Sequence, residues 1–235
     1  MIQVNNLSFH YQGVKRNVFS DFNMTLKENN IYGLLGKNGT GKSTLLYLIS
    51  GLLRQQQGTI LIDGISSCDR RPDVLRDIFI VTEEFFLPNV SLDVYVKMYR
   101  PFYPNFSQEV LDRCLQDFEL PLSLNLNELS MGQKKKAYMS FALATGTKYL
   151  FMDEPTNGLD PEAVFRLRRE IEEIRQRGSA VLISSHQLSE VEKIADRIVA
   201  IDDGMVCFDG KLDDLSDRFE NLEEFYKNLY GADKK

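Results

Sequence analysis

The chain has 235 residues, of which 43% are hydrophobic and 26% are charged, and its 28 basic and 34 acidic side chains give a net charge of −6. This length is enough for one domain with a substantial buried core. The acidic balance argues against a general binder of nucleic acid or anionic membranes, because clustered lysine and arginine side chains bind phosphate groups. We therefore expect no nucleic-acid partner.

Neither the cysteines nor the apolar segments of the sequence suggest secretion or membrane insertion, so we expect a cytoplasmic protein. Cys68, Cys114 and Cys207 are widely spaced and form no C-x-x-C pair, so neither a zinc site nor a disulfide framework is indicated. No apolar run approaches the ~20 residues that cross a bilayer. The segment MIQVNNLSFHYQ does not have the regions of a signal peptide. If this protein works at a membrane, we expect another chain to hold it there.

The strand patterns predict an antiparallel β region followed by a mainly parallel sheet. Phe22, Met24 and Leu26 alternate with polar residues, as in a half-exposed strand. Apolar runs without alternation predict strands that are buried on both faces. These runs are IYGLL (31–35), IFIV (78–81), YLFM (149–152), AVLI (180–183) and IVAI (198–201). Helical patterns separate most of them, which predicts an α/β fold with helices packed on the sheet.

A glycine-rich segment, GKNGTGKS (36–43), follows the first apolar run and precedes a helical pattern. It matches the phosphate-binding loop of P-loop nucleotide hydrolases, and the strand–loop–helix context argues against a chance glycine-rich turn. Lys42 is expected between the β- and γ-phosphates, Ser43 on Mg²⁺ and Thr44 at the α-phosphate. The nucleotide-binding residues predicted in this segment are Gly36, Asn38, Gly39, Thr40, Gly41, Lys42, Ser43 and Thr44.

The segment from about 85 to 145 is dominated by helical patterns and predicts an inserted helical subdomain. We expect a single domain over 1–235, in which 1–84 and 146–235 form the β region and the α/β core. The helical segment is rich in aromatic residues, most of them expected in the core, with a surface for docking a partner as the alternative. These residues are Phe85, Phe86, Tyr95, Tyr99, Phe102, Tyr103 and Phe106. Within NELSMGQKKK (127–136), Ser130 is predicted to cap a helix.

Acidic residues follow the apolar run at 149–152. Asp153 is placed to meet Mg²⁺, and Glu154 to act as general base on the attacking water. The alternative is that both acids merely cap a strand at the surface. Asp160 and Pro161 form a helix start, with aspartate as N-cap and proline at the first position, and a catalytic role for Asp160 is equally compatible.

His186 lies just beyond the run at 180–183. If that strand is parallel to the one ending at Asp153, His186 faces the γ-phosphate, because ligands bind at the carboxyl ends of such strands. A solvated histidine is the alternative, and Ser184 and Gln187 could form a capping box there. The segment LDDLSDRFENLEEFYKNLYG (212–231) predicts one amphipathic helix ending near Gly231, followed by a frayed ADKK.

Taken in order, these motifs resemble the nucleotide-binding domain of ABC transporters over essentially the whole chain. The resemblance is carried by Tyr11, the 36–44 loop, Glu83, LSMGQ (129–133), DEPTNGLD (153–160) and His186. It implies that two copies associate head to tail, so that the LSMGQ signature of one closes over ATP held by the other. It also places catalysis on Glu154, His186 and Lys42.

Several binding roles follow from the resemblance alone. Ser130, Gly132 and Gln133 would contact the γ-phosphate across the interface, and Asp160 would lie at the same interface. Tyr11 would stack on adenine, with an ordinary strand aromatic as the alternative.

Two residues depart from the family pattern. Met131 replaces the first glycine of the usual LSGGQ, while Gly132 keeps the second. Glu83 stands where glutamine is usual, or Glu84 if the register differs by one, and its carboxylate could ligate Mg²⁺ together with Ser43 and Asp153.

The resemblance thus predicts an ATP-hydrolysing ABC transporter subunit that uses ATP and Mg²⁺. It would form a homodimer on ATP and drive a separate transmembrane permease from the inner face of the cell membrane. The segments MYRPFYPNF (98–106) and SMGQKKKAYMSFALAT (130–145) resemble exporter-type subunits. The alternative is a soluble ABC ATPase that acts on DNA or ribosomes.

Overall fold

The computed structural model describes residues 1–231, and the predicted frayed residues 232–235 lie outside the described part. The strands are β1 (Ile2–Phe9), β2 (Phe19–Leu26), β3 (Ile31–Leu35), β4 (Gln57–Ile62), β5 (Ile65–Ser66), β6 (Ile78–Val81), β7 (Tyr149–Asp153), β8 (Ala180–Ser184), β9 (Arg197–Asp202) and β10 (Met205–Lys211). The helices are α1 (Lys42–Ile49), α2 (Pro72–Leu75), α3 (Leu92–Tyr99), α4 (Gln108–Asp117), α5 (Met131–Ala144), α6 (Pro161–Gln176), α7 (Leu188–Glu192), α8 (Asp213–Ser216) and α9 (Leu222–Tyr230). Within residues 1–231, no helix combines the length and the apolar character needed to span a membrane.

The smaller sheet is antiparallel, with strand order β2-β1-β4-β5. The alternation predicted for β2 is confirmed, because Phe22, Met24 and Leu26 are all buried. These side chains join the apolar face of α1 in one core with residues of the larger sheet. Helix α1 is thereby held against both sheets, which fixes the start of the helix that follows the glycine-rich loop.

The larger sheet has strand order β10-β9-β3-β8-β7-β6. All pairs from β9 to β6 are parallel, and only β10 pairs antiparallel with β9. Every apolar run predicted as a buried strand is a strand of this sheet, so the predicted α/β fold with a mainly parallel sheet is confirmed. The carboxyl ends of β3, β7 and β8 therefore meet at one edge.

The two faces of this sheet contribute to different cores, because successive side chains of a strand point to opposite faces. In β7, Leu150 and Met152 pack in the core formed with α4, α5 and α6. Tyr149 and Phe151 pack in the core formed with α1 and the smaller sheet. Burial on both faces explains why this strand is an uninterrupted apolar run.

Residues 92–144 contain helices α3, α4 and α5 and a 3-10 helix at Arg100–Phe102. The division into an α/β core and an inserted helical subdomain stays a prediction. Helix α4 is joined to α6 by Arg113, whose Nη2 lies 2.6 Å from Oε2 of Glu170. The Glu170 side chain is only 1% exposed and Arg113 is 29% exposed, so this ion pair bridges α4 and α6 with its carboxylate in the protein interior.

The aromatic residues of the helical segment divide into a packed group and an exposed group. The Phe141 ring lies 5.2 Å from Tyr95 and 5.9 Å from Phe79, measured between centroids. The core placement is confirmed for Phe85, Tyr95, Tyr103 and Phe106. The prediction that most of the seven are core is thus confirmed, while Phe86, Tyr99 and Phe102 are 89%, 37% and 64% exposed.

The C-terminal segment forms two helices, so the predicted single helix is wrong. Asn221 interrupts it, because its extended backbone places the side chain to accept a hydrogen bond from the Glu224 N–H and so to cap α9. Helix α9 ends at Tyr230, as the glycine at 231 predicts. The Tyr230 hydroxyl lies 2.9 Å from the Ile201 carbonyl and 3.4 Å from the Leu35 carbonyl, directly before the glycine-rich loop.

Candidate active site

A cavity of about 590 Å³ opens at the carboxyl ends of β3, β7 and β8. Residues from the loop after β3, from the ends of β7 and β8 and from the loop after β6 meet there. The lining residues are Tyr11, Val18, Asn38, Gly39, Gly41, Lys42, Ser43, Thr44, Glu83, Asp153, Glu154 and His186. All of these except Val18 were predicted from the sequence as binding, metal-ligating or catalytic residues.

The glycine-rich loop is fixed by its backbone packing. Gly41 has φ +101°, and a Cβ there would lie 2.5 Å from Cγ1 of Val18, so glycine is required on two counts. Gly36 and Thr40 belong to the loop but are not among the described residues that line the cavity. Thr40 instead donates through Oγ1 to the Lys37 carbonyl at 2.8 Å.

The Lys42 ammonium is held inside the loop. Its Nζ donates to the Gly36 carbonyl at 2.8 Å and to the Lys37 carbonyl at 3.3 Å. Burial lowers the Lys42 pKa, and the nearby carboxylates of Glu154 and Asp153 oppose that shift. A buried cation at the N-terminus of α1 favours an anionic ligand.

Tyr11 lies two residues beyond the end of β1 and also lines the cavity. Its hydroxyl is 2.9 Å from Oγ1 of Thr44, and its ring packs edge-on against Phe9. The Tyr11 side chain is nevertheless 41% exposed. The ring is thus tethered beside the loop with a surface available for stacking, and adenine contact stays a prediction.

The paired acids are buried, so the alternative of a strand cap at the surface is wrong. Asp153 is 2% exposed and Glu154 is 7% exposed. Asp153 accepts a hydrogen bond from the Ser184 hydroxyl. Glu154 has φ +47°, a left-handed conformation that is costly for a residue with a side chain and that often marks functional sites.

His186 is in direct contact with Glu154. Its Nδ1 lies 2.9 Å from Oε2 of Glu154, and the same oxygen accepts from the Ser185 hydroxyl at 3.2 Å. The imidazole remains 56% exposed, so one ring nitrogen contacts the acid while the ring faces the cavity. The parallel pairing of Asp153 with Ser184 brings these residues together.

The capping box proposed for Ser184 and Gln187 is wrong. Ser184 donates to Asp153 instead, and α7 begins with Gln187 in the cap position without a side-chain hydrogen bond. The Gln187 N–H donates to Ser185 Oγ at 3.1 Å. The Ser184 hydroxyl, which the local pattern assigned to a helix cap, is therefore bonded to the buried Asp153 carboxylate.

The loop after β6 contributes Glu83 to the cavity. Its Oε1 accepts from Nδ2 of Asn157 at 3.3 Å. Glu83 is therefore the better candidate than Glu84 for the position at which the family usually has glutamine. Within residues 1–231, no three carboxylate, imidazole or thiol side chains lie close enough to form a metal site by themselves.

The signature residues occupy a different place on the surface. Ser130 and Gln133 form the capping box of α5, in which each side chain accepts from the backbone N–H of the other. The predicted N-cap role of Ser130 is thus confirmed. Ser130, Gly132 and Gln133 are not among the described residues that line the cavity, and Ser130 and Gln133 are exposed.

Asp160 has the predicted structural role at the start of α6. Its Oδ1 accepts from the Ala163 N–H at 2.9 Å, and Lys136 Nζ lies 2.7 Å from its Oδ2. The hydrogen bond from Lys136 lowers the Asp160 pKa to about 2. The cap is confirmed, and a role of Asp160 at a dimer interface stays a prediction.

Sequence reasoning missed residues that form hydrogen bonds with the two acids or with the turn that follows them. Ser184 bonds to Asp153, Ser185 bonds to Glu154, and Lys135 bonds to the backbone of the turn that contains Glu154. Asn157, within that turn, joins it to Glu83 and Gln187. Of these residues, only Lys135 stands at a position in the sequence pattern where a charged side chain is unusual. It lies four residues before Met139, on the buried face of α5, where an apolar side chain is the usual choice.

The strand, phosphate loop and buried acids at one sheet edge define a P-loop nucleotide hydrolase. The sequence profile of the ABC transporter family matches residues 19–157, and the chain belongs to that family. It is accordingly the ATP-binding subunit of an ABC transporter and an ATPase.

Curated relatives of similar length share about a third of their residues with this chain. The lantibiotic transport ATP-binding protein SrtF of Streptococcus pyogenes is 33% identical, over 97% of this chain and 96% of the relative. The lipopolysaccharide export system ATP-binding protein LptB of Haemophilus influenzae is 32% identical, over 89% of this chain and 90% of the relative.

Solved structures with the same fold include an ATP-binding subunit of an ABC transporter. That structure is 29% identical, with a TM-score of 0.88 over 97% of this chain and 99% of the other. A second is an ATP-binding cassette described as a dimer in a post-hydrolysis state with bound ADP and Pi. It is 26% identical, with a TM-score of 0.79 over 90% of this chain and 99% of the other.

Proposed function

We propose that two copies of this chain assemble head to tail on ATP and Mg²⁺ and drive a separate membrane-embedded partner, with export as the direction. One observation carries this proposal. The phosphate loop and acids line one cavity, whereas the exposed signature residues that would complete a reaction site lie elsewhere on the same chain. A second copy, turned head to tail, can supply what each cavity lacks.

On the phosphate side, the loop N–H groups and Lys42 would hold the β- and γ-phosphates. The Lys42 ammonium now bonds to loop carbonyls, and phosphate oxygens offer it a stronger, charged partner. Tyr11 would stack on adenine beside Thr44, to which its hydroxyl is already joined. The cavity volume, about 590 Å³, suits a nucleotide-sized ligand.

The donor set in the cavity fits Mg²⁺. Ser43 offers a hydroxyl, and Asp153 and Glu83 offer carboxylates, which are the oxygen ligands that this ion prefers. Magnesium in phosphate sites is usually held by one or two carboxylates together with substrate phosphate oxygens. When bound, the ion would neutralise charge that develops on the phosphates.

Glu154 is proposed as the general base. Its carboxylate would accept a proton from water while the water oxygen attacks the γ-phosphorus, and the bond to the β-phosphate oxygen would break to leave ADP and phosphate. His186, Ser185 and the His186 N–H all contact Oε2 of Glu154, so this oxygen is oriented. His186 would then reach the γ-phosphate from the edge of the cavity.

The signature segment is suited to bind a phosphate from a second chain. The α5 N-terminus offers backbone N–H groups and a positive dipole end, and Ser130 adds a hydroxyl. Glutamine 133 uses its Oε1 in the capping box, which leaves its amide group to donate. Among residues 1–231, a Cβ at Gly132 would approach only the Gly158 carbonyl, at 3.4 Å, so no contact within this part of the chain requires glycine there. Close approach of a ligand would require it.

A complementation experiment tests the head-to-tail arrangement. Lys42→Ala removes the cation of the phosphate loop, and Gly132→Asp sets a carboxylate where phosphate is expected. Each variant alone should be inactive at every concentration, whereas their mixture should regain part of the wild-type rate. The regained activity would come from a site with an intact loop from one variant and an intact signature from the other. A mixture as inactive as its components contradicts the arrangement.

A groove between the α/β part and the helical segment is the proposed docking site for the membrane partner. It has a volume of about 670 Å³ and is lined by Pro72, Leu75, Pro101, Phe102 and Tyr103 among others. A partner seated there would touch both parts of the chain and respond to their relative movement. The exposed Phe102 side chain offers an aromatic anchor of the kind that dominates interfaces.

Purification from membranes tests this partner. Wild-type chain should co-isolate a polytopic membrane protein, and Phe102→Asp should lose it. Phe86→Asp, at an exposed phenylalanine that does not line the groove, is the control and should retain it. Ribosomes or nucleic acid in place of a membrane protein would support the soluble alternative. The relative described as a lipopolysaccharide export system protein supports export as the direction.

A further inference from the structure

The turn that carries the proposed general base is held by a buried lysine. The turn runs from Glu154 to Gly158 between β7 and α6, and Lys135 reaches it from α5. The Lys135 ammonium donates to the Glu154 carbonyl at 2.6 Å and to the Asn157 carbonyl at 2.9 Å. Lys135 is only 6% exposed, so these bonds form away from competing water.

Asn157 extends this contact to both neighbouring loops. Its Nδ2 donates to Glu83 Oε1 at 3.3 Å, and its Oδ1 accepts from Gln187 Nε2 at 3.1 Å. Lys135 therefore bonds to the backbone of a residue that also contacts the loop after β6 and the loop after β8. The turn is fixed from three directions, and only the lysine comes from the helix that starts at the signature.

A contribution to stability alone is a weak reason for an ammonium at this position. Burial lowers the Lys135 pKa, and the carboxylates of Glu83, Glu154 and Asp153 oppose that shift. Replacement of a buried charged group by a well-packed apolar side chain is often neutral or stabilising. An apolar side chain cannot donate hydrogen bonds to two backbone carbonyls at once, as Lys135 does. One of these carbonyls belongs to Glu154, whose backbone is in the left-handed conformation.

We propose that Lys135 is a positioning residue that sets the Glu154 carboxylate by anchoring the Glu154–Asn157 backbone to helix α5. The proposal rests on the role of Glu154 as general base given above. It has a consequence for the dimer. The N-terminus of α5 would contact ATP held by the partner, so a shift of α5 on that contact would pass through Lys135 to the base of the same chain. The ATP bound by one copy would thus adjust the general base that acts on the ATP bound by the other copy.

The test compares Lys135→Met, which removes the ammonium, with Lys135→Gln, which keeps an uncharged donor. Lys134→Met is the matched control, because it makes the same change at a neighbouring lysine that is not fully buried. Since a displacement of about 1 Å can cost 10²-fold in rate, kcat of Lys135→Met should fall at least about tenfold. ATP affinity should stay within about twofold, and kcat of the glutamine variant should lie between. The control should keep the wild-type kcat.

Combination with Glu154→Gln separates positioning from a general structural role. If Lys135 acts through Glu154, the double variant should form the ATP-bound dimer as readily as Glu154→Gln alone. Loss of ATP binding in parallel with kcat, or a wild-type kcat in folded Lys135→Met, overturns the proposal. Should the methionine variant not fold, the glutamine variant carries the same comparison. An inert Glu154→Gln beside a fully active Lys135→Met refutes only this inference, whereas a fully active Glu154→Gln refutes the role of the base itself.

Discussion

Nδ1 of His186 lies 2.9 Å from Oε2 of Glu154, although 32 residues separate the two in sequence. The contact exists because β7 and β8 are parallel neighbours whose carboxyl ends meet. It joins an exposed imidazole to a buried acid that already accepts hydrogen bonds from its surroundings. Because the two side chains touch but differ in burial and in proposed role, replacement of each should have a different effect on kcat and on the ATP-bound dimer.

Replacement of His186 by alanine should lower kcat with little effect on stability. The imidazole is more than half exposed, so its loss should change the free energy of unfolding by only about 0.5 kcal/mol. On the proposed contact of His186 with the γ-phosphate, its loss should cost about 10²-fold in kcat. Steady-state ATPase assays and urea unfolding measure the two effects. A large drop in stability with unchanged kcat would contradict this prediction.

Glu154→Gln should leave ATP binding intact and make the ATP-bound dimer long-lived. Glutamine keeps the size of the side chain but cannot accept the proton of the attacking water, so hydrolysis should fall by about 10²- to 10⁴-fold. Size-exclusion chromatography with ATP and Mg²⁺ should show a dimer that wild-type protein forms only briefly. A variant that stays monomeric under those conditions would count against the proposed cycle.

Glu83→Gln should preserve ATPase activity and change its dependence on Mg²⁺. Removal of one carboxylate from the cavity removes a charged ligand, so half-maximal activity should require more Mg²⁺. The measurement is a Mg²⁺ titration at fixed ATP, and Glu84→Gln, at the adjacent acid, is the control. If both variants titrate like the wild type, Glu83 is not a ligand.

Glu170→Ala should strongly destabilise the protein. Glu170 is buried and bonded to both Arg113 and Arg169. Its removal takes away the carboxylate that the two arginines share and empties its buried site, while Arg113 keeps Glu173, so we expect a loss of about 2 kcal/mol. The exposed pair of Lys97 and Asp93 is the comparison, since Lys97 is 74% exposed. Lys97→Ala should shift the unfolding free energy by about 0.5 kcal/mol at most. Equal shifts in urea unfolding would mean that burial does not set the difference.

The sheet could be predicted closely because its strands are buried on both faces. The run at 31–35 coincides with β3, and the run at 149–152 is β7 without its terminal Asp153. The phosphate loop was equally readable, since its chemistry is local to one strand–loop–helix unit. Such patterns can be interpreted without knowing which distant residues they contact.

Features that depend on a distant partner could not be predicted. Lys135 bonds to a turn 19 and 22 residues away, and nothing near it in sequence marks the lysine as a partner of that turn. Ser184 fitted a local capping pattern but bonds to Asp153 across the sheet. In the C-terminal segment, the amphipathic pattern continues through Asn221, and the cap formed by its side chain breaks the helix.

The position of β3 between β8 and β9 has a consequence for synthesis on the ribosome. The phosphate loop follows β3 directly, so it leaves the ribosome early, yet the strands on either side of β3 are translated only at residues 180–202. Nascent chains that are shorter than this contain the whole nucleotide motif but neither of the two strands that pair with β3 in the larger sheet. We therefore expect ATP to bind the chain only when translation is nearly complete.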